Sequence, residues 1–116
     1  MVEFDKEDLT IVMSQGDFLD LTFPIRHVRL SVEGSLYFTV KQERDDEQPI
    51  IIKKFAGVDY RTNRARIILT SDETSVLIAG KYYYDIVYIQ GDNKITENYP
   101  ARLIVCEVIH NAWLLW

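Results

Sequence analysis

Histidines, cysteines and paired carboxylates are the raw material of most reaction centres, and this chain places few of them at working spacings. His27 and His110 are its two histidines, and neither has a cysteine or a second histidine at ligand spacing. Cys106 is the one cysteine. It has no basic neighbour in sequence to lower its pKa, so it reads as a buried, inert thiol beside the core. Asp72 and Glu73 are adjacent carboxylates, but consecutive side chains diverge. Short hydroxyl and acidic residues over Ser71-Asp72-Glu73-Thr74 suit the cap of a brief helical turn instead. The acidic stretch Glu43 to Glu47 offers oxygen ligands for calcium. It lacks the alternating Asp-x-Asp-x-Asp-Gly spacing and is interrupted by Arg44, so it reads as a solvated loop. No phosphate-binding glycine loop, dinucleotide fingerprint, HExxH or GxSxG occurs. The expectation is a protein with no catalytic residue, no cofactor and no metal. A small enzyme is the weakest alternative, and its sign would be a pocket bringing His27 or His110 beside a carboxylate.

Charge narrows the partners. The formal net charge is −5, and the densest basic stretch is Arg61, Arg64 and Arg66. Neutralising a phosphate backbone needs a concentrated basic footprint, so nucleic acid is excluded as the expected partner. No run approaches the roughly 18 apolar residues of a membrane span, and the acidic start MVEFDKEDLT carries no apolar signal core. A lone cysteine allows no intrachain disulfide, which suits a reducing compartment or a particle assembled in one.

The elements that must position any site are strands. Residues Tyr82 to Ile89 alternate strictly: Tyr82, Tyr84, Ile86 and Tyr88 face one way, and Tyr83, Asp85, Val87 and Ile89 the other. Gly91-Asp92-Asn93 turns the chain back, as in an antiparallel hairpin. Upstream candidates are Leu9 to Ser14, Phe18 to Phe23, Val28 to Val32, Ser35 to Gln42, Ile50 to Phe55 and Arg64 to Thr70. Polar connections at Glu43 to Pro49 and Gly57 to Asn63 separate the later ones. Pro24 suits an edge, since proline cannot donate to a ladder. Seven tyrosines also favour β structure. Together these features predict one domain over residues 1–116: an all-β, immunoglobulin-like antiparallel β-sandwich of seven or eight strands with an apolar tail at 112–116. Tyr82, two residues after Gly80, is placed to hydrogen-bond back to the preceding turn as a tyrosine corner; plain cross-strand packing is the alternative.

A more specific likeness runs through the same residues. Gln15-Gly16-Asp17-Phe18, then Arg66 to Thr70, Glu73-Thr74, Leu77, Ala79-Gly80, Tyr82 and Tyr84 to Ile86 resemble a pattern of small phage structural domains. So do the Gly91-Asp92 turn and the closing run Ala101 to Val108. The family is the immunoglobulin-like N-terminal domain of bacteriophage baseplate upper proteins, with related short tail and neck proteins. Leu21-Thr22-Phe23-Pro24 departs from the family's leucine-threonine-glycine turn, and Pro100-Ala101 from its opening glycine. The resemblance implies a structural protein of a phage or prophage virion, in the tail, baseplate or neck. It would be assembled in the cytoplasm of a bacterial host and would dock to other virion proteins or to copies of itself.

Two features suit partners. Trp113, Leu114, Leu115 and Trp116 form an apolar segment that either packs on its own sandwich or docks on a neighbour, where tryptophans are frequent anchors. Tyr37, Tyr83 and Tyr88 are expected to form an exposed aromatic surface. As stacking platforms, those tyrosines also define the alternative of a carbohydrate-binding module.

Overall fold

The computed structural model describes residues 2–98 and 100–107. Ten strands and one short helix follow in order: β1 (Val2–Phe4), β2 (Ile11–Ser14), β3 (Leu19–Pro24), β4 (Ser35–Lys41), β5 (Ile51–Lys54), β6 (Gly57–Asp59), β7 (Arg64–Leu69), α1 (Ser71–Thr74), β8 (Gly80–Gln90), β9 (Asn93–Thr96) and β10 (Ala101–Cys106). They form two sheets, one ordered β1-β2-β10-β8-β4-β5 with β9 also on β8, the other ordered β3-β7-β6. This is an all-β, immunoglobulin-like sandwich. Among the described residues its pairings are antiparallel except one: β2 and β10 run parallel, with Ile11 opposite Leu103 and Ser14 opposite Cys106.

Strand β8, eleven residues long, is the spine of the larger sheet because it is paired on both edges. Along one edge it pairs with β4, from Tyr83 opposite Lys41 to Ile89 opposite Ser35. Its other edge is shared between β10 and β9. The β8–β9 turn is Gly91-Asp92, and Gly91 at φ 60° supplies the left-handed first position of a two-residue hairpin. Between β5 and β6 the chain changes sheets within two residues. Phe55 N–H donates to the Leu36 carbonyl at 3.0 Å, and Ala56 N–H to the Arg66 carbonyl at 2.8 Å.

The inward faces meet in an aromatic cluster. Phe38 stacks on Tyr84 at 4.9 Å between ring centroids, and Phe23 packs edge-on against Tyr84 and Phe55 at 6.1 and 6.2 Å. With no disulfide available, these rings fill the space between the sheets. Truncating a ring such as Phe38 to alanine costs about 3–5 kcal/mol.

Besides the parallel pairing, three differences from the sequence expectation concern strand number, one strand's existence and the burial of Cys106. The strand count exceeds seven or eight because β1, β6 and β9 are runs of three or four residues, too short to show alternation. Val28 to Val32 is not a strand, although Val28 and Leu30 are buried. Asn63 replaces the ladder there. Its Nδ2 donates to the carbonyls of Ile25 and Val28 at 2.7 and 2.8 Å, and its Oδ1 accepts from Leu30 N–H at 2.8 Å. The third is Cys106, which is half-exposed rather than buried, because it falls on the outer side of β10. Two local expectations match the structure. Thr70 and Glu73 form a reciprocal capping box on α1, and Tyr82 Oη donates to the Ile78 carbonyl at 2.7 Å, closing the tyrosine corner.

Candidate functional site

Two regions gather the side chains singled out by type. The first is the outer face of the larger sheet. Pairing of β4 with β8 sets Tyr37, Thr39 and Lys41 opposite Val87, Asp85 and Tyr83. Tyr37 and Tyr83 are both half-buried, and the Arg44 guanidinium sits 5.5 Å from the Tyr83 ring centroid. Four residues of β4 separate Tyr37 from the partner of Tyr83, roughly 13 Å of strand, so the two rings do not form one continuous platform. Between them lies Asp85, only 8% exposed. The Thr39 hydroxyl donates to its carboxylate, and Lys41 Nζ stands 3.8 Å away. A buried carboxylate with these partners holds the face together rather than standing ready for a substrate.

Tyr88 does not belong to this surface. It is 4% exposed and faces the core beside Ile86, as the parity of β8 requires. Its hydroxyl donates to Gln90 Oε1 at 3.0 Å. Room for the ring exists because residue 34 is glycine: a Cβ at Gly34 would lie 2.2 Å from Tyr88 Cζ. The expected aromatic surface therefore reduces to Tyr37 and Tyr83. His110 and the segment Trp113, Leu114, Leu115 and Trp116 lie outside the described residues.

The second region is a cleft of about 290 Å³ between the sheets, beside the ends of β1 and β3. Phe4, Leu9, Phe23 and Ile86 give it apolar walls, Lys6, Arg26, Arg64, Glu7 and Glu97 give it charge, and His27 also lines it. Glu97 is 7% exposed. Its two oxygens accept from the backbone N–H groups of Arg26 and His27, both at 2.9 Å. The His27 ring Nδ1 lies 2.8 Å from the Glu97 carbonyl oxygen and 3.4 Å from Oε2. So a pocket does bring His27 beside a carboxylate. Its chemistry is that of a clamp. Glu97 spends its oxygens on the loop that follows Pro24, and the His27 side chain is 70% exposed. Thr22 is the one hydroxyl lining the cleft among the described residues, and no thiol lines it there. Among the described residues, no three histidine, cysteine, aspartate or glutamate side chains converge as a metal site.

Sequence reasoning missed Glu97 and Arg26. Their contacts span about seventy residues of chain, so no local pattern announces them. Asn98 is a further silent member, accepting Ile86 N–H at 2.8 Å where β9 gives way to β10. The chain's sequence matches no protein-family model, and no curated protein matches it.

Proposed function

We propose that this protein is a non-enzymatic structural component of a phage or prophage virion, in the tail, baseplate or neck, acting by docking to other proteins. The observation that carries the docking reading is the edge strand β5. It ends the larger sheet with β4 as its sole sheet neighbour among the described residues, and it shows Ile52 at 62% exposure, with Ile50 of the preceding loop at 41%. An open edge with apolar side chains is a template for another chain. The virion assignment comes from the resemblance at Gln15-Gly16-Asp17, Ala79-Gly80 and Tyr82 to Ile86. The sandwich and its tyrosine corner accord with that family's fold. In this reading Trp113, Leu114, Leu115 and Trp116 add an apolar contact to the edge.

The test is the solution mass of the intact chain beside one lacking Trp113 to Trp116. We expect a defined oligomer for the first and a folded monomer for the second. Two folded monomers would remove self-assembly through that segment.

A glycan-binding module is the second reading, favoured by the shared outer face of Tyr37 and Tyr83. The burial of Tyr88 takes away its third platform. Glycan binding by the monomer that is lost in Tyr83→Ala would put this reading first.

A further inference from the structure

We propose that the free edge of β3 is a strand-addition site for an extended acidic segment of a partner protein that carries one bulky apolar side chain. In immunoglobulin sandwiches of the constant type, the first strand joins the second in one sheet. Here that place is vacant. Strand β1 pairs with β2 in the larger sheet, and β3 has β7 as its sole sheet neighbour among the described residues. None of the described turn, loop or side-chain hydrogen bonds reaches the backbone of Leu19 to Pro24 either. Pro24 has no N–H to offer, so an added strand would pair over Leu19 to Phe23.

The cleft adjoins this edge, with Thr22, Phe23 and Pro24 among its walls. Its volume of about 290 Å³ and its apolar walls suit one aromatic or branched side chain directed inward from the added strand. Lys6, Arg26 and Arg64 also line it, and none has an ion-pair partner among the described residues. Two carboxylates stand against these three cations, the exposed Glu7 and Glu97, whose oxygens are occupied by backbone N–H groups, so the lining is positive by one formal charge. On a chain of net charge −5, this is a local inversion of sign. It selects an acidic partner and repels a basic one. The inference rests on the assembly reading only in taking the ligand to be a protein segment.

The test uses the whole chain and a capped seven-residue peptide that alternates valine and glutamate around a central phenylalanine. An NMR titration should shift the amides of Leu19 to Phe23 together with Phe4, Arg26 and Ile86. The same peptide with lysine for glutamate, or with alternate backbone nitrogens methylated, should bind about tenfold more weakly or worse. The double variant Arg26→Glu, Arg64→Glu should reverse the charge preference. Shifts confined to β5, shifts in the cleft without β3, no shifts at all, or equal binding of the lysine peptide would each overturn the proposal. A defined oligomer in the mass measurement alongside any of these results would leave assembly standing and remove only strand addition.

Discussion

Asn63 shows how much one side chain can carry. It occupies the left-handed region at φ 58°, which asparagine tolerates better than most residues, and it ties three backbone groups of the loop between β3 and β4. Asn63→Ala leaves those groups unpaired. We expect about 3 kcal/mol lost in urea unfolding, with Asn63→Asp recovering only the part owed to Leu30 N–H. Gly34→Ala should cost about 1–3 kcal/mol, because the new methyl meets the buried Tyr88 ring; near-ultraviolet circular dichroism would report the displaced tyrosine. Tyr82 was legible from its distance to Gly80, since a corner is a local device. Glu97 and Asn63 were not, because both act on segments more than thirty residues away.

At the scale of elements, α1 couples a cap to an ion pair. Lys53 Nζ lies 2.6 Å from Glu73 Oε2, while Glu73 Oε1 accepts Thr70 N–H at 2.9 Å. The lysine hydrogen bond first, and the Thr70 N–H second, hold the Glu73 carboxyl below its ordinary value of 4.5. A depressed folded-state pKa means the contribution is present above about pH 4.5 and is lost as pH falls through the folded value. The bidentate Arg66 similarly depresses Asp20. The urea midpoint should therefore decline from about pH 5 towards pH 3, and Glu73→Gln should flatten part of that decline. Thr70→Ala should cost about 1 kcal/mol through the lost cap. This helix was readable because its signals sit in consecutive residues. β6 was not, because Gly57-Val58-Asp59 becomes a strand only through its register with Ala65 and its neighbours on β7.

For the whole molecule, alternation along β4 and β7, one in each sheet, was enough to specify a sandwich, since period-2 burial on two sets of strands has few other solutions. Direction was another matter. Nothing in Ile11 to Ser14 or Ala101 to Cys106 states that these strands run parallel, because a side-chain pattern is the same read either way. The aromatic core also sets a limit in alkali. Burial, and second the charge of Asp8, raise the Tyr84 hydroxyl well above the ordinary value of 10. Its contribution is complete below about pH 10 and disappears as pH rises through the raised folded-state value. An absorbance titration should show this tyrosine ionising only as the chain unfolds, a step absent in Tyr84→Phe.

The parallel pairing of β2 with β10 has a mechanical consequence. Ile11 faces Leu103 and Ser14 faces Cys106, so tension applied at Val2 and Glu107 pulls the two strands past each other along their length. The antiparallel β1–β2 hairpin would peel open first, pair by pair. After that, the bonds across four residue pairs carry the load together and must fail nearly at once. Pulled instead across the β4–β5 hairpin, the same sandwich would unzip at a lower force. Resistance to stretching thus resides in one short seam, whereas resistance to heat and denaturant resides in the rings between the sheets.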